Sequence, residues 1–204
     1  MIDPRNMTRY GLNRYQLEEK LLFCVCVAGK NAMTTARALD KFLDQGHRLV
    51  YGDNYWYYDP FAMLRSLSSK IGDRLPLMLK NCGLGCYNQR AYTFRALMNS
   101  DLDLQTCTVE DLEKISGIGP KTSRFFLLHT RENVQVAVID THILKFLRER
   151  NYPIPLNVTL TPKRYAQYEK WFIGIWMAES DLTLAEFDLK LWNWYAGHSQ
   201  EKVA

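Results

Sequence analysis

Two residues whose side chains could do chemistry together, Lys121 and Asp140, lie 19 positions apart in the sequence. A neutral lysine amine is a nucleophile that forms Schiff bases with sugar and carbonyl carbons. A fixed carboxylate stabilises positive charge that develops on a reacting carbon. Asp140 also precedes a predicted helix, 141–150, whose dipole would keep the carboxylate ionised. The plainer roles are a phosphate-binding lysine and a helix N-cap, and an aspartate can combine the N-cap with the chemistry.

The residues around Lys121 predict a helix-hairpin-helix spanning 109–130. Thr108 is a good N-cap for the first helix, and Asp111 stands where a capping box needs an acid. Gly117 and Gly119 follow, and a proline comes next, at a position suited to the start of the second helix. Glycines let the backbone approach a ligand closely, and the N–H groups at a helix N-terminus favour a phosphate. Such a hairpin would position nucleic acid without reading the identity of its bases.

The two segments Gly117-Ile118-Gly119-Pro120-Lys121 and Asp140-Thr141-His142 resemble the HhH-GPD superfamily of DNA glycosylases. Within it, the chain looks most like the small archaeal-type 8-oxoguanine DNA glycosylase/lyases. The resemblance implies an all-α fold of two helical lobes with an active-site cleft between them. One lobe would comprise residues 15–133, including the hairpin, and the other residues 1–14 plus 134–204. It also implies that Lys121 attacks C1′ of the sugar and that Asp140 supports the cleavage.

The same resemblance suggests further DNA-binding residues. Lys30 and Asn31 occupy a turn that would lie near the minor groove and fill the gap left by an extruded base, although a simple C-cap of the preceding helix explains them equally well. His142 would touch the phosphate beside the extruded nucleotide, or it is an ordinary helix-face histidine. Gly117 and Gly119 would contact the backbone.

A second loop, Cys82 to Ala91, is similar to the superfamily's loop that wedges a side chain into the duplex. Leu84 and Tyr87 are the candidate wedge residues, and Arg90 is a candidate DNA contact. Filling the vacated stack would offset the few kcal/mol (about 2–4) that unstacking a base costs. An ordinary glycine loop is the alternative.

For the base pocket, the candidates are Trp176, Phe187, Asp188 and Trp192, all of which could instead be core residues. The last predicted helix resembles that of the archaeal-type enzymes, whose tail ends in a lysine, whereas Lys202 is not terminal here. Our first hypothesis is that the excised base is 8-oxoguanine. A hypermodified cytosine, such as a glucosylated one in phage DNA, is the second hypothesis, and aromatic residues crowded into 51–58 motivate it. A non-catalytic DNA-binding module is the third.

Charge is distributed in keeping with a DNA partner. The 204 residues include 26 Lys and Arg against 22 Asp and Glu, which gives a net charge of +4. Residues 112–172 alone carry ten basic and five acidic side chains, and such clustering favours a polyanion. No cysteine follows Cys107, so the iron–sulfur cluster of some superfamily members has no ligands, and no spacing predicts zinc. We expect no metal and no cofactor.

The remaining patterns concern the whole chain. About ten helices and almost no strand are predicted, with an apolar core helix at 15–28 and a loose, polar arm over the first dozen residues. No apolar stretch approaches the roughly 20 residues that a membrane helix requires. We therefore expect a cytoplasmic monomer that binds double-stranded DNA containing a modified base.

Overall fold

The computed structural model describes residues 2–53, 58–68 and 72–200, the last three by their backbone only. The predicted all-α fold is confirmed, and within these ranges there is no β-strand. After a short 3-10 helix, Pro4–Asn6, the helices are α1 Arg14–Val27, α2 Ala32–Tyr51, α3 Pro60–Leu67, α4 Leu75–Asn81, α5 Tyr87–Met98, α6 Val109–Glu113, α7 Pro120–Thr130, α8 Thr141–Glu149, α9 Pro162–Glu179 and α10 Leu184–Gln200. No helix among the described residues is both long and apolar enough to cross a membrane.

The chain divides into two compact units. The first contains Met1–Pro4 and Leu12–Thr122, and the second contains Arg5–Gly11 and Ser123–Ala204. The boundary falls inside α7, so this helix contributes its first turn to one unit and the rest to the other. The two lobes that the resemblance implies stay a prediction.

The first unit is built around α1, which packs against α2, α3 and α5. Every residue from Leu21 to Cys26 is buried, so the expectation of a core helix is confirmed. Asn13 caps the helix through a capping box with Gln16. Burying a side chain the size of leucine or phenylalanine contributes roughly 1.5–3 kcal/mol, so α1 adds substantially to the stability of this unit.

The second unit packs α8, α9 and α10 around an apolar core that includes Phe146, Phe172 and Tyr195. The predicted loose arm is wrong, because Met7 is only 2% exposed. The arm is also held by hydrogen bonds to this unit. The Arg9 N–H donates to the His129 carbonyl at 3.0 Å, and Thr8 Oγ1 lies 2.8 Å from His129 Nδ1.

Candidate active site and nucleic-acid interface

The hairpin that carries Lys121 forms as its residue types require. Thr108 and Asp111 make the predicted capping box at the start of α6, with the Asp111 N–H donating to Thr108 Oγ1 at 3.2 Å. Hydrogen bonds from Lys114 and Thr108 lower the pKa of Asp111 to about 2. Gly117 has a φ of +93°, and a Cβ placed there would come within 1.9 Å of Thr93 Oγ1 on α5. Glycine alone can adopt this positive φ without strain and also avoid the clash with Thr93, because it has no Cβ.

Gly119 differs from Gly117, because a Cβ at position 119 would meet no atom within 4 Å. Its carbonyl accepts from the Thr122 N–H at 3.0 Å, which begins α7. Lys121 lies in this first turn and is half-buried. The open surface at Gly119 leaves room for a ligand to approach the backbone there.

Lys121 lies close to α1. Burial raises the pKa of the Cys24 thiol to about 12, and the positive charges of Lys20 and Lys121 act in the opposite direction. The nucleophile candidate on the hairpin therefore lies near Cys24 of the core helix of the first unit.

Asp140, in the second unit, is the N-cap of α8. Its Oδ1 accepts from the N–H groups of His142 at 2.8 Å and Ile143 at 2.9 Å. Both bonds reach the same oxygen, so within the described part of the chain Oδ2 has no hydrogen bond and can face a ligand. The two N–H donors hold the carboxylate at the N-terminus of α8 through one oxygen. The capping role and a chemical role are therefore compatible in one side chain.

His142 is half-buried on α8 and stacks on Tyr195 of α10, with ring centroids 5.9 Å apart. The Tyr195 hydroxyl is hydrogen-bonded to Glu149, and Lys145 Nζ lies 4.8 Å from the centre of the same ring. The stacking fixes the plane of the imidazole two residues after Asp140. A phosphate contact by His142 stays a prediction.

The turn after α1 and the loop after α4 lie next to each other in the first unit. The exposed Lys30 places its Nζ 4.0 Å from the position that a Cβ on Gly85 would take. Asn31 is the N-cap of α2, because its Oδ1 accepts from the Thr34 N–H at 3.0 Å. Asn31 therefore caps the start of α2 and not the end of α1, where the C-cap is Ala28. A DNA contact by Asn31 stays a prediction and would have to use the amide nitrogen of its side chain.

Two of the DNA-binding predictions on the second loop are wrong. Leu84 is 1% exposed and belongs to the core, so it could not enter a duplex without unpacking this unit. Arg90 is 5% exposed, and its guanidinium donates to the Cys26 carbonyl near the end of α1. A cation at a helix C-terminus donates a hydrogen bond to an unpaired carbonyl and interacts favourably with the negative end of the helix dipole. Arg90 holds α1 and α5 together instead of contacting DNA.

Tyr87 remains the wedge candidate of this loop. It opens α5 and is half-buried, and Lys80 Nζ lies 5.7 Å from its ring centre. The exposed Cys86 before it adopts a left-handed conformation with a φ of 55°, which directs the chain sharply into α5. This bend leaves part of the Tyr87 ring accessible.

Most of the predicted base-pocket residues are engaged elsewhere in the second unit. Phe187 packs in the core against Phe172, with ring centroids 5.5 Å apart. Asp188 is buried, with its Oδ2 3.3 Å from His129 Nε2. Trp176 donates its indole N–H to the Leu182 carbonyl at 2.7 Å and so closes the turn between α9 and α10. These contacts give Phe187, Asp188 and Trp176 partners within the protein, and a base-pocket role for them stays a prediction.

Trp192 is half-buried on α10 and is the remaining base-pocket candidate. The aromatic segment 51–58 cannot be added to it, since residues 54–57 lie outside the described part of the chain. Lys202 of the tail also lies outside it.

Three residues that hold the segment before Asp140 were missed by the sequence analysis. Tyr165 and Glu169, one turn apart on α9, hydrogen-bond the backbone of 137–139, and Glu169 also pairs with Arg124 of α7. Their spacing of four places two polar groups on one face of an otherwise aromatic helix. That pattern was visible in the sequence, but it did not say which backbone the pair would contact.

Comparison with known families decides what this arrangement is. The Ogg-HhH family, described as 8-oxoguanine DNA glycosylase, matches residues 65–179, which is more than half of the chain. The chain belongs to this family. The matched region contains Lys121, Asp140 and His142, whereas Lys30 and Trp192 fall outside it.

A sequence relative of this chain is consistent with the family assignment. An 8-oxoguanine DNA glycosylase/AP lyase from Methanocaldococcus jannaschii is 37% identical over 81 residues. That alignment covers 40% of this chain and 38% of the relative, so the chain matches well under half of the length of that protein.

Solved structures match over more of the chain. A crystal structure of the Methanocaldococcus jannaschii 8-oxoguanine glycosylase/lyase, in complex with a 15mer DNA containing 8-oxoguanine, is 25% identical with a TM-score of 0.67. It covers 92% of this chain and 84% of that one. A second structure of the Methanocaldococcus enzyme is 26% identical, covers 90% and 79% of the two chains, and has a TM-score of 0.63. The 8-oxoguanine DNA glycosylase of Thermotoga maritima is 21% identical over 87% of this chain and 78% of that one, with a TM-score of 0.61, and supports the fold alone.

Proposed function

We propose that this protein is a DNA glycosylase that excises 8-oxoguanine from double-stranded DNA and then cleaves the strand as an AP lyase. The observation that carries the proposal is an N-cap aspartate that keeps one carboxylate oxygen available, in a chain that also has a lysine in the first turn of the hairpin helix. Both residues lie in the region that matches the 8-oxoguanine glycosylase family. The names of its relatives support the choice of base.

The hairpin would bind the DNA backbone. Its open Gly119 lets a phosphate approach the N–H groups at the start of α7, where the helix dipole favours an anion. This contact carries no sequence information. It would hold the strand beside Lys121 while the target nucleotide leaves the stack.

The reaction would proceed in two stages. In the first, the neutral Lys121 amine attacks C1′ while the bond from C1′ to the base breaks, and the base leaves with the bonding electron pair. Asp140 stabilises the positive charge that develops on the sugar. The sugar ring then opens to an imine between Lys121 and C1′. In the second stage, loss of a proton from C2′ expels the 3′ phosphate by β-elimination, and hydrolysis releases the lysine.

The test of this function uses a duplex with one 8-oxoguanine and measures both released base and the covalent adduct trapped by borohydride. We expect release and an adduct with the wild-type chain, and no adduct with Lys121→Gln. Lys114→Gln is the matched control, because Lys114 is a 74%-exposed lysine of the same hairpin and loses the same charge. Loss of the adduct in both variants would show that hairpin charge, and not the Lys121 amine, is required.

A panel of duplexes with single modified bases tests the choice of base. Release of 8-oxoguanine at a rate well above all others supports the proposal, and preferential release of a glycosylated cytosine would replace it. Binding of every duplex with no release and no adduct would instead indicate a non-catalytic DNA-binding module. We further propose that one chain acts on one duplex, which sedimentation of the complex would establish.

A further inference from the structure

The segment that leads into Asp140 is buried without belonging to a helix. Ala137, Val138 and Ile139 are at most 4% exposed, and the chain here forms neither helix nor strand. Buried N–H and C=O groups need partners, and a segment outside a sheet cannot obtain them from a neighbouring strand. Side chains of the neighbouring helices must supply them.

Tyr165 supplies two of these partners with one hydroxyl group. It donates to the Ala137 carbonyl at 2.9 Å and accepts from the Ile139 N–H at 3.0 Å. A phenol can do both only while it keeps its proton. Burial raises the pKa of Tyr165, so the hydroxyl stays protonated throughout the range in which the protein would work.

Glu169 supplies the third hydrogen-bond partner of this buried backbone. Its Oε1 accepts from the Ala137 N–H at 2.9 Å and from Arg124 Nε at 2.8 Å. The side chains of Glu169 and Arg124 are mostly buried, at 15% and 16% exposure. The Arg124 guanidinium also lies 4.7 Å from the ring centre of Tyr165. Hydrogen bonds between ionised partners are stronger than neutral ones. The backbone of Ala137 is therefore fixed at both its N–H and its C=O.

We propose that Tyr165 and Glu169 are positioning residues for Asp140, and that the hydrogen bonds they make to residues 137–139 set where its carboxylate stands during base excision. The proposal rests on the proposed function. Asp140 follows Ile139 directly, and its own N–H donates to the Val138 carbonyl at 2.8 Å, so a shift of this segment moves the carboxylate with it. A misplacement of about 1 Å can reduce a rate by up to about a hundredfold.

Arg124 extends this arrangement to the hairpin helix. It lies three residues after Lys121 on α7, which is about one turn. Its ion pair with Glu169 therefore ties the segment before Asp140 to the helix on which Lys121 stands.

The test compares Tyr165→Phe with Tyr168→Phe. Each variant loses one phenolic oxygen from a tyrosine on α9 that is 3% exposed, but only Tyr165 bonds the 137–139 backbone. Phenylalanine keeps the ring under Arg124. Two rates are measured for each protein under single-turnover conditions: release of 8-oxoguanine, and borohydride trapping on DNA with a preformed abasic site, where no base has to leave.

We expect Tyr165→Phe to lower base release about tenfold or more while trapping on the abasic site stays within about twofold of wild type. Tyr168→Phe should match the wild type in both rates. Equal base release by Tyr165→Phe and wild type would overturn the proposal. An equal fall in both rates would also overturn it, because general destabilisation affects both steps alike. If the wild type itself releases no base, the proposed function fails first.

Glu169→Gln provides a second, independent variant should Tyr165→Phe not fold. Glutamine keeps an oxygen for the Ala137 N–H but loses the charge that binds Arg124. Slower base release with abasic-site trapping retained supports the positioning role, and base release equal to that of wild type contradicts it.

Discussion

Gly117 permits a sharp test of how the hairpin is built. Replacing it with alanine places a Cβ 1.9 Å from Thr93 Oγ1 and forces a side chain onto a backbone with a φ of +93°. Thr93 is 1% exposed and its Oγ1 donates to the Gln89 carbonyl at 3.2 Å, so it has little freedom to move aside. Both effects act on the folded state.

The two effects can be sized separately. A non-glycine residue at positive φ costs roughly 1–2 kcal/mol, and an overlap in a packed interior costs roughly 1–3 kcal/mol. We expect Gly117→Ala to lose about 3 kcal/mol of unfolding free energy. For a chain of this length that loss lowers the melting temperature by roughly 6–12 °C. Adding Thr93→Ala should restore the part that comes from the overlap with Oγ1, but not the part that comes from φ.

Gly119→Ala is the matched control. A Cβ there meets no atom within 4 Å, and φ at Gly119 is not positive, so the melting temperature should change by less than about 2 °C. Its new methyl group would instead meet a phosphate that approaches the hairpin. We therefore expect weaker DNA binding from Gly119→Ala with normal stability.

The measurements are melting curves by circular dichroism and equilibrium binding to a fluorescent duplex at one fixed salt concentration. If Gly117→Ala melts with the wild type, the described turn geometry is wrong. If Gly119→Ala binds DNA as tightly as the wild type, the backbone at Gly119 is not part of the interface.

Three further predictions concern single side chains. Asp140→Asn should slow 8-oxoguanine release by about a hundredfold or more in a single-turnover assay, with little change in melting temperature because asparagine caps helices equally well; unchanged release would remove Asp140 from the reaction. Arg90→Met should cost about 1–3 kcal/mol of unfolding free energy, since it leaves the buried Cys26 carbonyl without its donor, while the salt dependence of DNA binding stays as in wild type; a slope reduced by about one would restore Arg90 as a phosphate contact. Burial raises the pKa of Glu18 above its ordinary 4.5, so the folded state binds the proton more tightly than the unfolded state and loses that advantage as the pH rises through the raised value. Glu18→Gln should therefore gain stability relative to wild type between about pH 4 and 7, and urea unfolding at each pH would show the opposite trend if the carboxyl were stabilised as an anion.

Local rules predicted much of the fold. The capping box of Thr108 and Asp111 and the N-cap role of Asp140 depend only on neighbours in sequence, so the residue types were sufficient. The burial of α1 could equally be predicted, since a helix that is apolar on all sides has to be a core helix, and its residues are buried.

Roles that depend on distant partners were not readable in the same way. Arg90 follows a glycine loop as a DNA-binding arginine would, but its partner carbonyl is 64 residues earlier in the sequence. Phe187 and Asp188 had the right chemistry for a base pocket, yet Phe172 and His129 engage them inside the second unit. The spacing of Tyr165 on α9 indicates that the residue is buried, but it does not indicate which groups its hydroxyl bonds.

The N-terminal arm has a consequence for how the chain is made. Thr8 and Arg9 bond to His129, and the Arg5 carbonyl accepts from Asn193 at 3.3 Å. On the ribosome the arm emerges 121 residues before His129 can meet Thr8 and 188 residues before Asn193 can meet Arg5. The arm therefore waits through most of the synthesis of this region before these contacts form, and a substitution within the arm would disturb a helix that is translated much later.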